Sequence, residues 1–285
     1  MKGKLGIGLG WLIFLGGLFV TWFWTGPGES PGEGPVQVVC INTIGDADST
    51  LLCQQGAAVL IDTGDEQDAE HILEILRQYQ VKKLDYLILS HYDSDHIGGA
   101  QTILEQIPVG IVVAPDQSTE DERVIGLKAY LEEQKIPTLY PVRTHRMSAG
   151  QMQLVVYPPL ERHYNDNNNY SLAVLTRHQK VNMMFAGDAL RKRSEELLHI
   201  DWPSVDLYKV AHHGRENAAT GELFDRLTPV YGVVTAKRAD QAVLEGANRN
   251  HTELFYTGWG DCRFLSDGEQ LMFEGEGRNE NLEKE

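Results

Sequence analysis

The stretch SHYDSDHIGG, residues 90–99, carries four side chains that can bind metal ions within six residues, namely His91, Asp93, Asp95 and His96. It follows an apolar run that is typical of a strand. Because side chains alternate at a strand end, His91 and Asp93 are expected on one side, and the adjacent Asp95 and His96 are expected to turn toward a second position. Imidazole and carboxylate ligands suit Zn²⁺ or Mn²⁺, so the loop predicts a site for two divalent metal ions. The alternative is a polar loop whose aspartates only cap the next helix.

Short strands and helices alternate around this loop. Strands are predicted over Val36–Ile41, Thr50–Cys53, Ala57–Ile61, Leu84–Leu89, Val109–Val113, Gln153–Tyr157, Leu172–Thr176, Asn182–Ala186, Leu207–Val210, Val230–Thr235, Cys262–Leu265 and Gln270–Phe273, and helices over Gln67–Tyr79, Ile97–Gln106, Arg123–Gln134 and Leu190–His199. Early hairpins followed by alternating strands and helices favour two sheets with helices packed outside, an α+β or α/β architecture.

Charge and cysteine content restrict the classes of function. The chain has 25 Lys and Arg against 41 Asp and Glu, a formal net charge of −16. Proteins that hold nucleic acid by neutralising its phosphates are usually basic, so a stoichiometric nucleic-acid binder is disfavoured. Nucleic acid as the substrate of a metal-containing enzyme is not disfavoured, because bound cations reverse the local field. Cys40 and Cys53 either bridge neighbouring strands outside the cytoplasm or remain free, buried thiols, and Cys262 completes a set too small for a disulfide framework.

The first 24 residues differ in kind from the rest. After Lys2 and Lys4, the run Leu5–Trp24 is uncharged, long enough to cross a bilayer as a helix, and ends in an aromatic segment typical of a membrane interface. Residues 1–24 are therefore predicted to be a transmembrane anchor, with a cleaved signal peptide or a buried core helix as alternatives. Because basic residues precede this run, the following domain is predicted to lie outside the cytoplasm, or to be secreted if the segment is cleaved.

One folded domain is predicted after that segment. Residues 25–35 are a Gly- and Pro-rich linker, residues 36–275 form the domain, and residues 276–285 are a polar tail. Within the domain, Asp188 follows an apolar run, and the pair His212-His213 follows another. On its own a Gly-Asp pair after a strand is usually a turn, and the histidine pair is the stronger indication of a site.

Six segments, in order, resemble motifs of the metallo-β-lactamase superfamily, and in particular the extracytoplasmic hydrolase domain of ComEC-type competence proteins. They are Gly45–Thr50 (GDADST), Leu60–Gly64 (LIDTG), Ser90–Gly99 (SHYDSDHIGG), Asn168–Leu172 (NNYSL), Phe185–Ala189 (FAGDA) and Tyr208–Gly214 (YKVAHHG). The metal loop is similar to the superfamily's H-x-H-x-D-H signature, with Asp93 in place of the second histidine. The resemblance covers roughly residues 36–227.

The resemblance implies an αββα sandwich with a metal site along one sheet edge. It implies that Asp188 is the carboxylate shared by the metals, that His212 binds the second metal, and that His213 sits toward the substrate. Asp48 and Asp62 are expected to brace the metal loop through hydrogen bonds.

Two departures from the family pattern concern the first metal position and the substrate pocket. The histidine expected between the metal loop and Asp188 has no clear counterpart, since His145 and His163 lack the matching context. The G-H-P-H-P stretch of ComEC-type domains is replaced by the AKRADQAVL of residues 236–244, and His251 reads as a surface residue. Because Asp93 is a harder ligand than imidazole, the first position is expected to favour Mn²⁺ or Mg²⁺ over Zn²⁺.

The function predicted from these features is metal-dependent hydrolysis, with phosphodiesters, including DNA, as the substrate class that the resemblance implies. The resemblance implies attack by a metal-bound hydroxide, and His213 or Asp95 is expected to handle the proton. Hydrolysis of a small ester, lactone or β-lactam is one alternative. An anchored, non-catalytic binding module on the same fold is the other.

Overall fold

The computed structural model describes residues 34–277. The predicted anchor over residues 1–24, nearly all of the linker and all but the first two residues of the tail lie outside this range. Within residues 34–277, no helix combines the length and the apolar character that a membrane crossing requires.

The described chain forms fifteen strands and seven α-helices. The strands are β1 (Val36–Cys40), β2 (Thr50–Gln54), β3 (Ala57–Ile61), β4 (Leu84–Ile88), β5 (Val109–Val113), β6 (Thr138–Leu139), β7 (His145–Ala149), β8 (Met152–Tyr157), β9 (Ala173–His178), β10 (Val181–Phe185), β11 (Leu207–Lys209), β12 (Tyr231–Val234), β13 (Glu253–Tyr256), β14 (Cys262–Ser266) and β15 (Leu271–Gly275). The helices are α1 (Ala69–Gln78), α2 (Ser94–Ile97), α3 (Ala100–Gln106), α4 (Glu122–Glu133), α5 (Arg191–Leu198), α6 (Thr220–Leu227) and α7 (Gln241–Arg249).

Two mixed sheets stack face to face and carry helices on their outer faces. The first sheet has the order β15-β14-β1-β2-β3-β4-β5-β6, and the second has the order β13-β12-β11-β10-β9-β8-β7. Apolar side chains such as Leu52 and Met183 fill the layer between the sheets. Helices α1, α3 and α4 pack on the first sheet through residues such as Ile72. Helices α5, α6 and α7 pack on the second through residues such as Phe224. The αββα sandwich implied by the sequence is confirmed.

Strand direction brings several loops to one edge of the sandwich. Strands β3, β4 and β5 are parallel in the first sheet, and β10, β11, β12 and β13 are parallel in the second. The loops that follow them meet across the two sheets, and we call this side the carboxyl edge and its opposite the amino edge. Since β1 and β15 both run parallel to β3, the described chain begins at the amino edge and its last described residues lie at the carboxyl edge.

Most predicted elements are present, with ends shifted by one or two residues. The helix predicted over residues 97–106 is instead two helices, α2 and α3, separated by Gly98 and Gly99. At Gly98 a Cβ atom would lie 2.4 Å from the backbone nitrogen of Glu66, so the close approach of that segment requires glycine. Strands β6, β7 and β13 and helices α6 and α7 were not predicted.

The cysteines are buried and free. Strand register pairs Cys53 with Gln37, and Cys40 with Thr50 and Cys262, so the bridge considered between Cys40 and Cys53 does not form. The neighbouring strands are displaced by three residues from the register that this bridge would need.

Candidate metal centre

Four buried side chains meet at the carboxyl edge. Asp48, His96, Asp188 and His213 each present one nitrogen or oxygen atom, and these atoms lie within 4.8 Å of one another. His213 Nε2 is 2.8 Å from Asp188 Oδ2, and His96 Nε2 is 3.3 Å from Asp188 Oδ1. The two Nε2 atoms are 3.4 Å apart. Two imidazoles and a carboxylate therefore converge on one point, in the manner of a metal-binding site.

Asp62 fixes the orientation of His96. Its carboxylate accepts hydrogen bonds from the backbone nitrogen of Ser90 at 2.6 Å and from Ser90 Oγ at 2.7 Å, and it lies 2.9 Å from His96 Nδ1. A carboxylate in this setting only accepts, so Nδ1 of His96 carries the proton and Nε2 is left to face the cluster. The bracing role expected for Asp62 is confirmed.

A left-handed backbone segment brings His213 into the cluster. His212 and His213 have φ values of 52° and 55°, and Gly214 continues at 82°. Such conformations cost about 1–3 kcal/mol each for a non-glycine residue and concentrate at functional sites. They turn His213 inward, where its Nδ1 lies 2.9 Å from Thr235 Oγ1, and leave His212 half-buried beside the cluster. The geometry thus favours His213, and not His212, as the ligand.

Asp188 is held by a tight turn after β10. Gly187 has a φ of +55°, and a Cβ atom there would lie 2.9 Å from both Ser171 Oγ and Ser90 Cβ. The backbone nitrogen of Asp188 donates to Ser171 Oγ at 3.0 Å. The turn therefore needs glycine, and it sets the Asp188 carboxylate between the two imidazoles.

The rest of the metal loop forms a second group beside the first. His91 is fully buried, and its Nε2 lies 3.7 Å from Asp93 Oδ2. Ser90 Oγ donates to Asp62, so its free lone pair, 3.1 Å from His91 Nδ1, accepts from that nitrogen and leaves His91 Nε2 unprotonated. Asp93 makes no cap hydrogen bond to α2, so a role limited to capping is wrong.

Asp95 borders the cluster of His96, Asp188 and His213. Its Oδ2 is 3.4 Å from His213 Nε2 and 4.0 Å from His96 Nε2, and its side chain is partly exposed. His91 and Asp93 lie beside the same cluster, since the ring centres of His91 and His96 are 4.1 Å apart.

A buried lysine that sequence reasoning missed completes the cluster. Lys209 Nζ contacts the carboxylate of Asp48 and lies 3.7 Å from Asp188 Oδ1. Burial opposes the charge of Lys209, but Asp48 and Asp188 outweigh it and raise the pKa of the ammonium group. Asp48 is consequently neutralised by Lys209. The available signal was a single lysine inside the apolar run 207–210.

The charges within the cluster determine the pKa of each group. Burial works against ionisation of Asp188, yet His96 and His213 hold the pKa of its carboxyl well below the usual range. Burial likewise opposes protonation of the two imidazoles, and Asp188 raises the pKa of both. Burial opposes ionisation of Asp95 too, but the hydrogen bond from His213 lowers its pKa to about 2. The carboxylates are therefore ionised at neutral pH, and a cation that binds must displace protons from the imidazoles.

Unpartnered atoms test whether these residues fit a metal ion. His91 Nε2, Asp188 Oδ1 and His212 Nδ1 are buried and have no hydrogen-bond partner among the described residues. A buried polar atom left unpaired costs about 1–3 kcal/mol. Imidazole nitrogens and carboxylate oxygens suit Zn²⁺ and Mn²⁺, so a cation would satisfy His91 Nε2 and Asp188 Oδ1, and these residues fit it, whereas His212 Nδ1 stays free beside the cluster.

The remaining histidine candidates lie elsewhere. His145 is half-buried on the edge strand β7, and His163 and His251 are exposed. Among the described residues, the cluster that could hold a metal includes none of the three.

The contact between Thr235 and His213 gives a test of the ligand assignment. Thr235→Val keeps the shape of the side chain and removes the oxygen that orients His213, so metal affinity is expected to fall by about 10- to 100-fold. Competition against a chromogenic chelator measures this affinity. Thr176→Val is the matched control, because Thr176 Oγ1 is buried with no partner among residues 34–277. Equal metal affinity in the Thr235 and Thr176 variants would exclude His213 as a ligand.

The sequence matches one family profile, described as the Metallo-beta-lactamase superfamily, over residues 42–234. That span contains all four residues of the buried cluster and also His91, Asp93 and Asp95. Among solved structures, the metallo-beta-lactamase fold protein YhfI from Bacillus subtilis superimposes with a TM-score of 0.55 at 15% identity, covering 79% of this chain and 96% of that one.

Two curated relatives are similar to this chain in sequence but are much longer. ComE operon protein 3 of Bacillus subtilis is 26% identical over 231 residues, 72% of this chain and 28% of that protein. Recombination protein 2 of Haemophilus influenzae is 26% identical over 205 residues, 68% of this chain and 24% of that protein. The chain spans about a quarter of the length of these relatives. The resemblance to ComEC-type proteins is confirmed.

Proposed function

Because this chain belongs to the metallo-β-lactamase superfamily, we propose that it is a metal-dependent hydrolase that cleaves phosphodiesters. The observation that carries the proposal is the arrangement of three imidazoles. His91, His96 and His213 each have Nδ1 bound to an orienting oxygen, and each directs Nε2 toward neighbouring carboxylates. This pattern is typical of metal ligands.

The ligands divide between two cation positions. His91 and Asp93 would hold the first, and His96, Asp188 and His213 would hold the second, with Asp95 beside the second. A bound divalent cation supplies Lewis-acid polarisation of the substrate. Asp48 is excluded from this ligand set, because Lys209 already neutralises it.

Two side chains at the rim are placed to move protons. Asp95 is ionised and partly exposed, so it can accept a proton from the attacking water. His212 is half-buried, and desolvation lowers its pKa, which keeps the ring neutral near pH 7. Its unpartnered Nδ1, in the tautomer that carries the hydrogen, can donate a hydrogen bond to the leaving oxygen, which takes up the proton that Asp95 accepted from the water. The sequence predicts a catalytic role for His213, but because His213 lies in the ligand set, we assign that role to His212.

The substrate class rests on two supports. The two relatives carry names that refer to the ComE operon and to recombination, and a third, 26% identical over 197 residues, is named a competence protein. Phosphodiester linkages are the bonds that a hydrolase acting on DNA would cut. Buried carboxylates and a lysine around the centre also suit a site whose cations, and not its surface charge, meet the phosphate.

A substrate panel tests this function. The full-length protein is stripped with a chelator, reloaded with Mn²⁺ or Zn²⁺, and given bis-p-nitrophenyl phosphate, single-stranded DNA, a lactone and a cephalosporin. We expect hydrolysis of the first two substrates only, with a higher rate for Mn²⁺ because Asp93 is a hard ligand. Preferential hydrolysis of the lactone or cephalosporin would assign the alternative ester or lactam chemistry. A fully loaded protein without turnover of any substrate would indicate a binding module.

A further inference from the structure

An exposed tryptophan follows strand β13 and contacts the segment after strand β12. Trp259 is 57% exposed, and its Nε1 donates to the carbonyl oxygen of Lys237 at 3.3 Å. Lys237 Nζ lies 5.7 Å from the centre of the indole ring. Contact at this distance is near the outer limit of a cation–π interaction, so a ligand can readily displace the ammonium group.

Lys237 is tied to the ligand His213 through a short stretch of backbone. Thr235, which orients His213, is two residues before Lys237, so their Cα atoms lie within about 7 Å. The backbone nitrogen of Asp240 donates to the carbonyl oxygen of Gly214 at 2.9 Å. The segment after β12 is therefore fixed against the segment that carries His213.

Two basic side chains lie close to the tryptophan in an otherwise acidic protein. Lys237 and Arg238 are exposed, and neither forms an ion pair within residues 34–277. Nearby acidic side chains are engaged: Asp46 pairs with Arg215 at 2.8 Å, and Glu276 pairs with Arg263 at 2.9 Å. An exposed indole ring beside two cations that form no ion pair suits a ligand with a planar ring and an adjacent anionic group.

We propose that Trp259, Lys237 and Arg238 form a subsite, here called the tryptophan subsite, that binds a nucleobase and its neighbouring phosphate. The base stacks on the indole, and Lys237 moves from the ring to the phosphate. This proposal rests on the proposed phosphodiesterase function, since it places the next phosphate of a strand toward the metal centre. Trp259 and Lys237 are positioning residues in this arrangement.

Equilibrium binding to the full-length protein in chelator separates this proposal from hydrolysis. The probes are a fluorescein-labelled single-stranded deoxyoligonucleotide and an abasic strand of equal length, followed by anisotropy. Trp259→Ala is expected to weaken binding of the base-bearing strand by about 5- to 100-fold, the range for loss of base stacking. The abasic strand should lose less than about twofold, and Trp259→Phe should retain most of the affinity.

Lys237→Met is expected to weaken both strands and to reduce the slope of log affinity against log salt by about 0.7, one phosphate contact. Lys82→Met and Val230→Ala, exposed changes at the amino edge, are the controls. Equal losses on both strands for Trp259→Ala, or no saturable binding by the unsubstituted protein, would overturn the subsite. Binding in chelator, together with no hydrolysis of DNA by the metal-loaded protein in the substrate panel, would instead count against the phosphodiesterase function alone.

Discussion

Asp188→Asn is expected to lower kcat/KM for a phosphodiester by about a thousandfold or more and to reduce metal content sharply. Asp188 is a buried carboxylate that faces both His96 and His213, and it lies closer to each imidazole than Asp95 does. A bound cation contributes several kcal/mol to stabilising transition-state charge, and each 1.4 kcal/mol is a factor of about ten. Metal content by plasma emission spectroscopy and initial rates measure the two effects.

Three variants make this result specific. Asp201→Asn is the same substitution at a fully exposed carboxylate and should change neither quantity. His213→Ala should lose metal as Asp188→Asn does, whereas His212→Ala should keep metal and lose turnover. Retention of more than half the activity in Asp188→Asn, with native far-UV circular dichroism, would disprove the assignment of the centre. Metal loss in His212→Ala but not in His213→Ala would return the ligand role to His212.

Lys209→Met is expected to lower the free energy of unfolding by about 3–5 kcal/mol, the cost of leaving a buried charge without its partner. Lys209 is buried with Asp48 and lies 3.7 Å from Asp188, so its loss leaves two buried carboxylates facing each other. Urea unfolding followed by circular dichroism measures the change.

The double variant Asp48→Asn/Lys209→Met distinguishes the ion pair from a simple packing defect. Because it removes the charge of Asp48 together with that of Lys209, it should recover part of the lost stability. Lys83→Met is the matched control, since Lys83 pairs with Asp85 at the surface, where a salt bridge contributes about 0–1 kcal/mol. A double variant no more stable than Lys209→Met would contradict the account.

The sequence predicted the central features of the fold because apolar runs and ligand spacing are local signals. The strand before the metal loop and the loop itself both form as expected, since each depends on neighbours along the chain. Strand β7 was missed because it is an edge strand with polar residues, and edge strands need not be apolar on either face. Helices α6 and α7 contain only short apolar segments among polar residues, so the sequence gives a weak helical signal there.

The sequence could not predict which of the candidate residues act as ligands, because that depends on contacts between residues far apart along the chain. Three successive residues with left-handed backbone conformations determine that His213, and not His212, turns into the cluster. The sequence His-His-Gly does not specify these conformations. The pairing of Lys209 with Asp48 joins residues far apart in sequence across the two sheets. The sequence gives no sign of the contact between Trp259 and Lys237, because the two residues are separated along the chain by α7. Local reasoning identified the ligand types, and only packing assigned them to positions.

Residues 34 and 277, the first and last that the structure describes, lie at opposite edges of the sandwich, which determines how the domain can be attached. Gly34 is held at the amino edge through its carbonyl oxygen, which accepts from Gln54, whereas Gly277 bonds to Tyr256 close to Trp259. A bead, a surface-display scaffold or the predicted membrane span joined before residue 34 would hold the domain by the side remote from its metal centre. A fusion partner joined after residue 277 would begin at the carboxyl edge, the side that carries the metal centre, and could obstruct a long substrate. Immobilisation through the amino terminus is therefore the orientation that keeps the catalytic face open to macromolecules in solution.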